Sequence, residues 1–174
     1  FNPSGTRLYM LVTASDAIHV YLLDVPFELS SASYSGEVLE RAGEELSPTA
    51  VSISPDGKHV FVVGSTSDAV HQYDLTEGFD FSTASASVGN ISVAGQESAP
   101  TMLHMNASGT RMYMGGTTGD RLYTYELTTP FDIVSAVNTD VLYYFLAEDS
   151  APTGFFIFAS GTHMFMVDTT NATI

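Results

Sequence analysis

The stretch Ser54-Pro-Asp-Gly-Lys-His-Val-Phe-Val-Val-Gly64, followed by Ser67-Asp-Ala-Val-His-Gln-Tyr-Asp-Leu75, decides the fold. A Pro-Asp-Gly turn leads into an apolar run, a short polar break and a second run closing on an acidic residue and Leu. Turn chemistry between β-rich segments predicts an antiparallel hairpin. The pattern then returns at a constant interval. Gly5, Gly57, Gly109 and Gly161 lie 52 residues apart, as do Tyr21, Tyr73 and Tyr125. Leu23, Leu75 and Leu127, Phe27, Phe79 and Phe131, and Pro48, Pro100 and Pro152 keep the same spacing without insertion or deletion. The sequence therefore holds three periods and the start of a fourth, and a repeat of this length must be recognised before anything else is read.

Each period carries four strand signals. The first is short and apolar, as in Thr49–Ser54, and ends at the glycine turn. The second is Lys58–Val63, with an aromatic column at Tyr9, Phe61, Tyr113 and Phe165. A turn containing Ser15-Asp16, Ser67-Asp68 or Gly119-Asp120 leads to the third, Ala69–Leu75 and its equivalents. A longer connection through Pro26-Phe27, Gly78-Phe79 or Pro130-Phe131 leads to the fourth, such as Ser87–Ala94. Gly36–Leu46 also fits a short amphipathic helix. Its counterparts Val88–Ala94 and Asp140–Leu146 are rich in β-branched and aromatic residues, so the segment is read as strand. Four short antiparallel strands in a repeat of this length predict an all-β fold of β-propeller blades, partial in this chain at a little over three blades. The repeats fall at about 1–48, 49–100 and 101–152, with a partial blade over 153–174.

The two quoted strings resemble the YVTN-type propeller repeat. The strings Phe27-Glu-Leu-Ser-Ser-Ala-Ser33 and Phe79-Asp-Phe-Ser-Thr-Ala-Ser85 are similar to repeat propellers of marine phage and marine bacterial surface proteins. This resemblance implies blade architecture over the whole chain. Since such blades serve lactonases, surface proteins and virion proteins alike, it does not select among those functions.

Composition narrows the partners. Twenty Asp and Glu stand against five Lys and Arg, for a net charge of -15. Nucleic acid and anionic membrane surfaces are disfavoured, since both recruit basic residues. No apolar run is long enough to span a membrane as a helix. The absence of Cys excludes disulfides and thiolate metal sites. The sequence opens on Phe1 and closes on Ile174, from which we expect a longer natural chain or assembly of copies to cover the outer blades. A two-copy ring is awkward, because residues 1–18 and 157–174 duplicate the same blade positions.

No nucleophile elbow, zinc-protease motif, phosphate loop or dinucleotide fingerprint is present. The leading candidate site is acidic. Glu45, Glu97 and Asp149 form one column before the innermost strands, and Asp16, Asp68 and Asp120 form a second on the same face. Carboxylates converging there suit Ca²⁺ or another hard cation. The competing reading, that they bind backbone N–H groups and build the blade, is preferred for a feature present in every repeat. A basic column of Arg7, His59, Arg111 and His163 suits an anion, or else caps the nearby Glu28, Asp80 and Asp132. His19 and His71 alternate with Tyr123 and read as packing. His104 stands alone where Ser52 and Phe156 are its equivalents. The 9 Tyr and 11 Phe offer stacking surfaces for sugars but read first as core. Sequons occur at Asn90, Asn106 and Asn171.

These features lead to the expectation of a non-enzymatic scaffold or binding module of an extracellular, cell-surface or virion protein, with a protein or glycan partner. A lactonase-like hydrolase is the first alternative, and a homo-oligomeric ring the second. No cofactor beyond Ca²⁺ is implied.

Overall fold

The glycine turn sets the geometry of every blade. Gly5, Gly57, Gly109 and Gly161 all have φ near +70°, a region open to glycine at little cost. Each closes a short turn; the Gly57 N–H, for example, donates to the Ser54 carbonyl at 2.9 Å. Side chains at the turn's first position reinforce it. Asn106 Oδ1 accepts from the N–H groups of Thr110 and Arg111, and Ser54 Oγ accepts from His59 N–H.

The computed structural model describes residues 1–40, 44–45, 47–119, 121–144, 152–158 and 161–168. Strands β1 (Arg7–Val12), β2 (Ala17–Leu23) and β3 (Ala32–Glu40) form blade one. Blade two contains β4 (Pro48–Ile53), β5 (His59–Gly64), β6 (Ala69–Leu75) and β7 (Ala84–Ser92). Blade three contains β8 (Pro100–Met105), β9 (Arg111–Gly116), β10 (Arg121–Leu127) and β11 (Ala136–Tyr144). β12 (Pro152–Ile157) and β13 (Met164–Asp168) form a two-stranded sheet. All pairings are antiparallel and join consecutive strands. β4 packs beside β8, and β8 beside β12, so the innermost strands share one side of the fold. No helix among the described residues is long and apolar enough to cross a membrane.

The segment open to two readings is a strand: β3 runs to Glu40, while Arg41–Gly43 and Leu46 lie outside the described residues. The fourth strand starts earlier than the sequence pattern indicates, at Ala84 instead of Ser87. The connection before it contains one turn of 3-10 helix, over Leu29–Ser31, Phe81–Thr83 and Ile133–Ser135. Its N-terminal acid is the reason. Glu28, Asp80 and Asp132 each accept the N–H two residues on, a standard capping bond.

The preceding Phe is held in the left-handed region, at φ +61°, +68° and +58° for Phe27, Phe79 and Phe131. That conformation is costly for a bulky residue. Two contacts offset it in each blade. The Phe N–H donates to the turn glycine's carbonyl at 2.9–3.0 Å, and the ring lies flat over that glycine, where a Cβ has no room.

Blades bury their faces on one another. One cluster joins Ile18, Val20 and Leu39 of blade one to Val60, Val62, Tyr73 and Phe81 of blade two. Another joins Phe61, Val63 and Val70 of blade two to Met105, Met112, Tyr125 and Ile133 of blade three. Fully burying one such side chain contributes about 1.5–3 kcal/mol. Gly109→Ala removes the turn's permitted conformation and collides with the Phe131 ring. It should destabilise the protein by more than about 1 kcal/mol, measured as a lower urea midpoint at unchanged m-value.

Candidate functional site

The acidic column is built into the fold. Glu45 and Glu97 are 0% and 1% exposed. Glu45 accepts from the N–H groups of Ser47, Thr66 and Ser67 and from Ser67 Oγ, at 2.6–3.1 Å. Glu97 accepts from Ala99, Thr118 and Gly119 N–H at 2.8–3.2 Å. Each carboxylate thus staples the connection entering a blade to the turn between that blade's second and third strands. The side chains run over Gly64 and Gly116, where any Cβ would strike the Glu and a neighbouring carbonyl. Those glycines were the sequence signal for the staple, and periodicity alone did not reveal it.

Burial works to raise the Glu45 pKa, but the hydrogen bonds from Ser67, Ser47 and Thr66 outweigh it and hold the group below its ordinary value. Asp16 and Asp68 occupy the same turns, in the left-handed conformation at φ +50° and +46°. The Asp68 carbonyl accepts from Val93 N–H at 2.7 Å. Asp68 Oδ1 is buried without a hydrogen-bond partner among the described residues. Among those residues no three His, Asp or Glu side chains form a group able to hold a metal ion. Asp120 and Asp149 lie outside the described residues.

The basic column has different partners from those expected. His59 Nδ1 meets Asp74 at 2.8 Å, Arg111 meets Glu126 at 3.2 Å, and Arg7 makes two bonds to Glu37 at 2.8 and 3.0 Å. His59 and Arg111 face their acids directly across the second and third strands. In blade one Leu22 holds that position, so Arg7 turns to the outer strand for Glu37. Glu28, Asp80 and Asp132 are instead committed to capping, although Arg7 also helps to keep Asp80 ionised. His163 meets Thr162 Oγ1 at 2.9 Å.

The column also reaches the next blade. Arg7 and the Tyr9 hydroxyl both donate to the Phe79 carbonyl, and His59 stacks on Phe131 with centroids 5.2 Å apart and planes 5° apart. Burial drives the Tyr9 pKa well above its ordinary value.

His71 and Tyr123 are buried, and His19 and His71 each meet a turn serine through Nε2, as packing residues. Asn90 is exposed on β7, the Asn106 carbonyl oxygen is occupied by the glycine turn, and Asn171 lies outside the described residues.

On the innermost strands, Ser52 Oγ accepts from Met105 N–H at 2.9 Å, and Thr49 Oγ1 donates to the Pro100 carbonyl at 2.6 Å. These bonds tie β4 to β8. His104 replaces that serine one blade on and meets the rings of Tyr113, Phe155 and Phe156 at 6.0–6.4 Å. Burial lowers its pKa and favours the neutral imidazole. With Phe1, Ile53, Met105 and Phe156 it lines a mostly apolar cleft along the innermost strands.

Two outcomes follow. Glu97→Ala leaves buried N–H donors unpaired at about 1–3 kcal/mol each, so its melting temperature should fall well below that of Glu97→Gln, which keeps one acceptor. For Glu45, a depressed folded pKa gives stability that is present above the ordinary value of 4.5 and lost as pH falls through the folded value. Glu45→Gln should flatten that acid limb in pH-dependent urea unfolding.

No family model and no curated protein matches the chain. Solved structures do. A Lactobacillus plantarum protein superposes with TM-score 0.70 at 16% identity, covering 98% of this chain and 47% of its own. A Bacteroides uniformis protein, provisionally assigned as a 6-phosphogluconolactonase, superposes at 0.66 with 15% identity, covering 95% and 45%. The WD40 repeats of RRP9 superpose at 0.54 with 12% identity, covering 86% and 38%. The chain spans less than half the length of these structures, and the likeness is one of fold: the chain is a run of β-propeller blades.

Proposed function

We infer that these blades belong to a non-enzymatic propeller that works as a binding or scaffold module, with a protein or glycan partner. The observation that carries this reading is the commitment of the repeated polar residues to the fold. Glu45 and Glu97 are saturated by backbone N–H groups, and Glu28, Asp80 and Asp132 cap 3-10 turns. General acid–base work requires a carboxylate or imidazole within reach of a reacting group, and these carboxylates face their own blade. An acidic exterior on a YVTN-like repeat fits an extracellular, cell-surface or virion setting. WD40 repeats among the similar structures support a scaffold role by fold alone.

The lactonase-like reading has one observation behind it beyond the similar Bacteroides structure. His104 breaks the innermost column and is held towards neutrality, the form a general base needs. Its surroundings are aromatic, and it has no hydrogen-bond partner among the described residues to orient it.

A panel of sugar lactones and simple esters, incubated with the full-length protein, separates the two. No turnover above buffer is expected. Turnover abolished by His104→Ala at unchanged melting temperature would establish the hydrolase reading.

A further inference from the structure

The outermost strand of blade two differs from those of its neighbours. β7 runs for nine residues, Ala84–Ser92, without a charged side chain. β3 carries Glu37 and Glu40, and β11 carries Asp140. Natural sheets blunt their edges with such charges, because an unpaired edge recruits other chains. β7 lies at the edge of its sheet, and no described strand pairs with its outer side. Its register with β6 shifts beside Gly89, so Val88 bulges and is 50% exposed, while Gly89–Ser92 form a regular stretch opposite Ala69–Gln72. Blade two has a neighbour packed on each face, so its rim is exposed in its own right.

A second departure from the repeat sits against this edge. Val134 stands where the other blades have Ser30 and Ser82. Those serine hydroxyls donate to the capping carboxylates of Glu28 and Asp80 at 2.8 and 2.6 Å. Val134 gives up that bond and is 63% exposed, a local cost without a matching gain in the buried clusters. One of its methyl groups lies over Gly89, where a Cβ would meet it at 2.5 Å. Glu37 holds that glycine's place in blade one. A hydroxyl and a carboxylate are thus replaced by an apolar step along β7.

We propose that the β7 edge and Val134 form a docking site for an extended segment of a partner protein, in which apolar side chains alternate with Lys or Arg. The segment's backbone pairs with Gly89–Ser92 as an added strand. Its apolar side chains meet Val88 and Val134, and its cations face the acidic surface around them. Charge decides the occupant. The chain carries a net charge of -15. Asp132 caps the turn that holds Val134, and Asp80 caps the turn that enters β7. No described cation stands on this rim. Arg7 and Arg111 are paired with Glu37 and Glu126, Arg121 lies over Tyr144, and Lys58 follows the glycine turn of blade two. A second copy would bring like charge against the site, whereas a basic segment is drawn to it. This inference rests on the binding-module reading and names the chemistry of its partner.

The test is a short fluorescent peptide of alternating Lys and Val, titrated by anisotropy into the intact 174-residue chain. Saturable binding is expected, with new amide hydrogen-exchange protection over 89–92. Val134→Ser restores the residue of the other blades, and Asn90→Lys places a charge on the exposed edge. Each should weaken binding at least tenfold without lowering the melting temperature. Leu29→Ser, which removes an exposed apolar residue from blade one, should leave binding unchanged. N-methylation of the peptide's alternate amides, or Glu in place of its Lys, should abolish binding. No saturable binding, equal binding by either altered peptide, indifference to Val134→Ser and Asn90→Lys, or protection confined to other strands would overturn the proposal. A chain that self-associates without peptide and is dispersed by Val134→Ser would overturn the choice of occupant in favour of a second copy. Lactone turnover would refute the binding-module reading and leave this titration unchanged, so the two failures are told apart.

Discussion

A four-stranded antiparallel sheet with apolar residues on both faces cannot cover itself, and the rest of this structure follows from that constraint. Val60 and Val62 of β5 enter the cluster shared with blade one, whereas Phe61 and Val63 enter the cluster shared with blade three. Strand pleating sends alternate residues to opposite faces, so a single strand serves two junctions. A run such as Val60-Phe-Val-Val63 is therefore continuously apolar, without the alternation of a half-exposed strand. Each blade is stable only through its neighbours, as in repeat proteins generally.

Junctions of this kind demand that the polar connections between strands be held accurately, and Glu28, Glu45, Asp80, Glu97 and Asp132 serve that purpose. Each Glu staple ties an incoming connection to the next turn. Each capping acid shapes the 3-10 turn that presents Phe81 or Ile133 to the preceding blade. A left-handed Phe locks that turn to the glycine hairpin. The strain at the Phe and the tight space over the glycine belong to one arrangement, repeated with the same hydrogen bonds in three blades. Part of the chain's negative charge is therefore a construction material as well as a surface property, with N–H dipoles doing at Glu45 and Glu97 what basic side chains do elsewhere.

The basic column shows how a repeat tolerates variation. The role stays constant while the partner moves: Asp74 and Glu126 lie across the strand pair, but Leu22 forces Arg7 outward to Glu37. Sequence spacing placed Glu28, Asp80 and Asp132 near this column and assigned them to it. Local capping geometry claims them first, because an N–H two residues away is reached at little entropic cost. The same reasoning accounts for the 3-10 turns themselves, which carry no periodic apolar signal and were read only as connection.

The sequence by itself determined the period, the order and type of strands, the glycine turns and the propeller class, because these depend on local conformational preference and on alternation repeated in register. The strand reading of Gly36–Glu40 came from its counterparts one and two periods on. Tertiary structure alone decided which carboxylates are available for chemistry. Glu45 and Glu97 share a column with nothing in their spacing to show that they are buried over Gly64 and Gly116. Their donors come from a turn some 20 residues away, at Thr66, Ser67, Thr118 and Gly119. It also decided that His104 faces aromatic rings and that Leu29 is exposed where Phe81 and Ile133 are buried. Repetition makes those residues alike in sequence, and only the neighbour that each blade has in space makes them different.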